Sequence, residues 1–259
     1  MELLVLIGVL GGVCGFLSGL LGIGGGIIMA PLLLYVPPLF GFEPLPMRTV
    51  AGLTIVQGFV ACIFGALAHN KFKRVSKNLA CCMGISIFVA ALIGGIGANY
   101  VSNRTLLMIF GTLALAAAVL IFVGRKQEEK IPADLQNLDF SCWRAVTAAG
   151  GIGLLGGLVG QGGSFILIPL MTSFVKIPTR IALGSNLVIV MLSTAAAFLG
   201  KAVTGQIDWL LALPIIITVI PAAYLGGHFS QRLPVLILRR GLAIVIALAA
   251  FRIFCSLLS

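Results

Sequence analysis

Ten apolar runs cover most of this chain, and no acidic residue lies in the interior of any of them. They fall at about 2–21, 27–36, 49–68, 78–99, 104–124, 145–160, 165–175, 181–200, 209–227 and 235–257. Several approach the ~20 residues that cross a hydrocarbon core as a helix. Of the 259 residues, 60% are hydrophobic and 9% charged, whereas a soluble domain carries roughly 25% charged residues. The runs are long and do not alternate, so they are not the strands of a closed barrel. With no water in the lipid core, the backbone must satisfy itself, and the spanning elements are helices. The prediction is an all-α polytopic protein of the cell membrane, inner or plasma. "MELLVLIGVLGG" has no basic n-region and no small-x-small cleavage site, so the first run is expected to be a retained helix.

The second and seventh runs are only about half a crossing long, and each follows a glycine cluster. "GLLGIGGGIIMAPLLLYVPP" is residues 19–38 and "GLVGQGGSFILIPLMTS" is residues 157–173. Gly15, Leu17, Gly19, Leu20, Gly22, Gly24, Gly25, Ile28, Pro31 and Leu32 match Gly153, Leu155, Gly157, Leu158, Gly160, Gly162, Gly163, Ile166, Pro169 and Leu170 at a constant offset of 138. Downstream, "RTVAGLT" from Arg48 aligns with "RIALGSN" from Arg180. Ten identities in eighteen positions without a gap indicate internal duplication. The units read as 1–124, a polar linker 125–144, and 145–259.

Topogenic charge chooses between two arrangements. If each glycine-broken segment crosses once, the repeats are parallel. If it turns back as a hairpin, they are inverted. Both place Lys71, Lys73, Arg74, Lys77, Arg125, Lys126, Lys130 and Arg144 in the cytoplasm. The parallel form adds Lys201 and Arg252, for 10 of 17 basic residues, and the inverted form adds Lys176, Arg180, Arg232, Arg239 and Arg240, for 13 of 17. The expectation is therefore two inverted repeats, each a glycine-broken helical hairpin plus about three transmembrane helices. The linker is then cytoplasmic, residues 37–47 and Lys201 lie outside, and the two hairpin tips meet near the midplane. Inverted repeats with broken helices are a transporter arrangement.

After each break a helix is expected to begin, at Gly26-Ile27 and at Ser164-Phe165. Its free N–H groups and positive dipole end would form an anion site without a charged side chain. The candidate substrate-binding residues are therefore Gly24, Gly25 and Gly26 at the first tip and Gln161, Gly162, Gly163 and Ser164 at the second. Thr54, Gln57, Ser185 and Asn186 are polar residues inside helices; each either faces the substrate or bonds a neighbouring helix carbonyl. Arg48 and Arg180 occupy equivalent places, as oxyanion forks or as interfacial anchors. Gly11, Gly15 and Gly19 form a small-residue stripe suited to helix contact, within one chain or in a homo-oligomer.

Other chemistries fit poorly. The net charge of +10 is spread between apolar runs rather than gathered on a soluble face, so nucleic acid is not expected. Cys14, Cys62, Cys81, Cys82, Cys142 and Cys255 contain no CxxC pair, and no metal site or cofactor is expected. A dinucleotide fingerprint would need a strand before the glycines. An intramembrane enzyme or assembly factor would need a nucleophile–base pair or metal ligands, and His69 and His228 lie only near run ends.

At the paired glycine motifs, the two arginine-led starts and "AAYLGGHFSQRLP", the sequence resembles the sulfite exporter TauE/SafE family of permeases. The resemblance covers nearly the whole chain. It implies a permease for sulfite, organosulfonates or related sulfur compounds, hence a small anionic substrate and a lipid bilayer as partners. Many members show a Thr-Ser pair after the arginine; here the positions read Gly52-Leu53-Thr54 and Gly184-Ser185-Asn186. A carrier and a passive anion channel share these features.

Overall fold

The computed structural model describes residues 1–21, 26–68, 77–123, 140–177, 179–229 and 253. They form α1 (Glu2–Leu21), α2 (Gly26–Leu39), α3 (Met47–Ala68), α4 (Lys77–Gly97), α5 (Asn103–Val123), α6 (Cys142–Val159), α7 (Ser164–Ser173), α8 (Thr179–Val203) and α9 (Trp209–Phe229). No strand occurs among the described residues. Each of the first nine apolar runs becomes one helix. The tenth, 235–257, lies outside the described residues apart from Ile253. The polar linker gives up its last three residues to α6, which opens at Cys142.

Local chemistry sets the boundaries. The Ser102 side chain accepts from Thr105 N (3.2 Å) to start α5. Asp208 accepts from Leu210 N and Leu211 N (3.0 and 3.2 Å) to start α9. Gly160, in the left-handed region at φ 74°, closes α6.

Among the described residues, five helices are long and apolar enough to cross a membrane, including Glu2–Leu20, Met47–Gly65 and Trp209–Phe229. Shorter apolar helices accompany them, including Gly26–Leu39. The polarity of a soluble protein is inverted. Val5, Val9 and Val13 on α1, Ile85, Val89 and Ile93 on α4, and Leu210, Leu213 and Ile217 on α9 are exposed. Their spacing makes lipid-facing stripes along each helix. Meanwhile Thr54, Gln57, Gln161, Ser185, Asn186, Lys201 and Gln206 are buried. Water would reject that surface, and a bilayer accepts it. This is a multi-pass membrane protein.

The two halves interleave. Gly15 of α1 lies against Val219 of α9, where a Cβ would stand 3.0 Å from the Val219 Cα. Gly153 of α6 lies against Ile87 of α4, where a Cβ would stand 2.8 Å from the Ile87 carbonyl oxygen. One turn on, Gly19 abuts the Ala223 carbonyl and Gly157 the Ala91 carbonyl. Ile87 and Val219 are 132 apart, as are Ala91 and Ala223, and as are Arg48 and Arg180. The first helix of each half therefore packs on the fourth element of the other half, through equivalent glycines.

These contacts also give helix directions. On α4 and α6, Cys82 meets Cys142 while Gly94 meets Leu158, so the two run together. Gly84 on Leu192 and Gly95 on Ala197 set α8 the same way. α9 follows α8 after a five-residue connection and so returns, and α1 runs beside it. The start of α3 lies against the chain just after α8, with Gly52 on the Gln206 carbonyl, so the equivalent helices α3 and α8 are antiparallel. Among the described residues, the end where α4, α6 and α8 begin carries Lys77, Arg144, Lys176 and Arg180 and no acid. The opposite end carries Glu2, Glu43 and Asp208 with Arg48 and Arg104.

Candidate functional site

The second glycine cluster is a sharp break between α6 and α7. Gly160, Gly162 and Gly163 have φ of 74°, 61° and 70°, three left-handed residues in four. Such backbone favours glycine, and the surroundings leave no room for another side chain. A Cβ at Gly160 would overlap the Ala51 carbonyl of α3, and one at Gly163 would overlap the Ile152 side chain. Gly162 packs on Thr194 of α8. The Gly156 carbonyl takes the N–H groups of Gln161 (2.8 Å) and Gly162 (3.2 Å), which folds the chain over the end of α6. Gly163 sits at the N-cap of α7 with no side chain capping it. The first N–H groups of a helix have no intrahelical partner, so α7 points free donors into the break.

Gln161 is the central residue. It is 4% exposed, and neither its Nε2 nor its Oε1 has a hydrogen-bond partner. Its side chain lies against the start of α2: a Cβ on Gly26 would be 3.6 Å from the Gln161 Cγ. Gly26 is the first residue of α2. Gln161 therefore lies against the first described turn of α2 and three residues before the start of α7, so it touches elements from both halves of the chain. Burying an amide without a partner costs a few kcal/mol, and a bound ligand would supply the missing partners.

Two further amides share this condition. Gln57 is fully buried with both side-chain polar atoms unpartnered, and Asn186 is buried with Oδ1 unpartnered. Ala51 and Thr194 are the residues of α3 and α8 that touch the second tip. From them Gln57 lies about 9 Å along α3 and Asn186 about 12 Å along α8, at 1.5 Å per residue. Ala51 touches Gly160, while Cys62 meets Thr194, which touches Gly162, so Gln57 sits between these contacts at the level of the tip and Asn186 lies beyond it toward the basic end. Thr54 differs: its Oγ1 donates to the Ala51 carbonyl at 3.2 Å, so the hydroxyl is committed within its helix. Ser185 is buried on α8 beside Asn186 and is itself engaged in an interaction.

Arg48 is a strut. Its Nη2 donates to the Val101 carbonyl and its backbone N–H to Asn103 Oδ1, both at 3.0 Å, which ties α3 to the start of α5. Its Nε is buried and unpartnered. Gly24 and Gly25 lie outside the described residues, and so do the side chains of Ser164 and Arg180; Gly26 is the part of the first tip that the structure describes.

The structure also brings in residues that sequence reasoning passed over. Lys201, expected as an outside loop charge, is buried in the last turn of α8. It donates to the Leu158 carbonyl (3.1 Å) and to Gln206 Oε1 (3.2 Å). Gln206 Nε2 in turn donates to the Gly95 carbonyl at 2.9 Å. A lysine at the end of an apolar run reads as interfacial, and no local signal marks this one as buried. Ser18 and Ser193 are buried with unpartnered hydroxyls, and nothing in their sequence context marks them.

A family model described as "Sulfite exporter TauE/SafE" matches residues 6–253. The chain is similar to a protein of Xylella fastidiosa (strain Temecula1), named as a probable membrane transporter protein, with 29% identity over 90% of this chain and 86% of that one. It is 20% identical to the probable membrane transporter protein YunE of Bacillus subtilis, over 98% of this chain and 97% of the relative. A probable membrane transporter protein of Methanocaldococcus jannaschii is 25% identical over 89% of this chain and 88% of its own. No solved structure matches.

Proposed function

The chain belongs to the sulfite exporter TauE/SafE family of membrane transporters, and from that footing we propose that it is a secondary permease for a small sulfur-containing anion such as sulfite or an organosulfonate. The anion binds where the two glycine breaks meet. The observation that carries this reading is the unpartnered Gln161 amide, buried against Gly26 at the start of α2 and beside the uncapped start of α7. Two helix N-termini and an amide donor favour an oxyanion without demanding a fixed charge. Gln57 adds an amide beside the tip, and Asn186 continues the path toward the basic end.

Alternating access follows from inverted repeats. The support for inversion is that the equivalent helices α3 and α8 run antiparallel, and that the end rich in Lys and Arg without acid is the cytoplasmic end by the positive-inside tendency. In that topology each tip enters from its own side and the site lies between them.

The test is transport by purified protein in liposomes with labelled sulfite, sulfate, sulfoacetate and taurine. Saturable uptake with counterflow of at least one sulfur anion is expected. An unsaturable electrodiffusive current would identify a channel, and no flux of any of the four would defeat the substrate class.

A further inference from the structure

A break in a helix creates two ends of opposite sign, and only one of them suits an anion. The start of α7 offers N–H donors, while the end of α6 offers carbonyl oxygens only a few residues away. Gly156 disposes of its carbonyl by accepting from Gln161 and Gly162, and Gly157 by accepting from Gly160. The Leu158 carbonyl is met instead by Lys201 Nζ at 3.1 Å.

That lysine is fully buried, and its partners are two neutral oxygens, those of Leu158 and Gln206. The described charge near enough to act on it is the Arg48 guanidinium, of the same sign. Asp208, two residues beyond Gln206, is occupied in capping α9. The lysine amine is therefore held against the carbonyl end of the break, and when protonated it has no carboxylate beside it among the described residues. A buried charge without a counterion is costly.

We infer that Lys201 is a positioning residue for the permeated anion: it covers the carbonyl end of α6, so that the second tip presents a net positive field, and the anion is its counterion. The inference rests on the proposed tip site and deepens it. It assigns the source of charge selectivity to the outer side of the break, at Leu158, three residues before Gln161 in the chain. A purely structural lysine would staple α6 to α8 and have no effect on which anion is preferred.

The experiment uses two probes of different charge, sulfoacetate (a dianion) and taurine (a zwitterion), with binding and flux measured on wild type, Lys201→Gln, Lys201→Arg and Gln206→Glu. Thermal unfolding follows folding. Lys201→Gln is expected to weaken sulfoacetate about tenfold or more relative to taurine, the scale of one charge-assisted interaction. Lys201→Arg should keep the preference. Gln206→Glu sets a carboxylate beside Nζ without removing the lysine and should reproduce the loss. A folded Lys201→Gln with wild-type preference would overturn the inference, as would equal weakening of both probes. If that variant does not fold, Gln206→Glu decides by the same criterion. Wild type that binds both probes alike would overturn the inference without any variant. Wild type that binds none of the sulfur anions would instead overturn the tip site, and this inference with it.

Discussion

At the scale of single residues, the informative quantity is which buried polar groups are already satisfied. Thr54 and Asn186 occupy equivalent places in the duplicated sequence, yet they differ in state. The Thr54 hydroxyl is spent on the Ala51 carbonyl, while the Asn186 Oδ1 and both polar atoms of Gln161 are unspent. A group already bonded within its helix contributes little to a ligand, whereas an unpaired amide gains its full partner on binding. Gln161→Ala and Asn186→Ala are therefore expected to weaken substrate binding more than Thr54→Ala does. Lost hydrogen bonds to a charged ligand are worth roughly 1.5–3 kcal/mol each, or about ten- to a hundredfold in affinity. Isothermal titration or counterflow inhibition on the folded variants measures this, and equal affinities across the three would make the amides structural. Gln57 shows what composition cannot reveal: its sequence context is ordinary, and only the fold shows that its amide has no partner.

At the scale of elements, the glycine breaks are steric before they are chemical. The sequence reading placed glycine at 163 to turn the chain and to admit an anion. The structure adds a wall, because a Cβ there would overlap the Ile152 side chain of α6. Two penalties then separate. The left-handed φ of 70° costs an L-residue about 1–2 kcal/mol, and the overlap adds to it. Gly163→Ala should lose most transport, and Ile152→Ala in the same chain should restore part of it by removing the overlap alone. Gly163→Val should insert in the membrane, since it adds no charge, but should not be rescued. A double-mutant cycle on transport and unfolding measures the coupling, and a Gly163→Ala protein with normal transport would remove the tip from the mechanism. Element positions were legible because apolar run length and glycine clusters report directly on crossings and breaks: α7 begins at Ser164, where the small-residue run Gly162-Gly163-Ser164 ends. Partnerships between helices were not legible. Gly15 and Gly153 each announce a close contact, but nothing local says that the contact is with Val219 and Ile87 in the opposite half. Lys201 was misplaced for a related reason: a basic residue at a run's end normally lies at the interface, and only the packing of α4, α6 and α8 buries it.

At the scale of the molecule, the interleaving decides what can fold alone. Duplication suggests two units, 1–124 and 145–259. Yet α1 presses its glycines on α9, and α6 presses its glycines on α4, so each unit lacks the surface on which its own first helix packs. In a bilayer, helix association depends on such close small-residue contacts rather than on hydrophobic burial. Neither unit expressed by itself is therefore expected to give a monodisperse protein, while the two coexpressed should copurify and transport. Gly19→Leu and Gly157→Leu, which wedge equivalent contacts apart, should each abolish that copurification. A unit that is stable alone would show that the contacts are incidental. The same arrangement predicts sidedness. Lys201 is buried and unsuited to labelling, but Asp208 and Lys176 are exposed at the two ends of α8. In a cysteine-free background, Asp208→Cys should react with impermeant reagent from outside the cell and Lys176→Cys only after the membrane is opened. The reverse pattern would put the basic end outside, against the charge tendency. Reaction of both from one side would mean that α8 does not cross, and the two tips could then no longer approach from opposite faces.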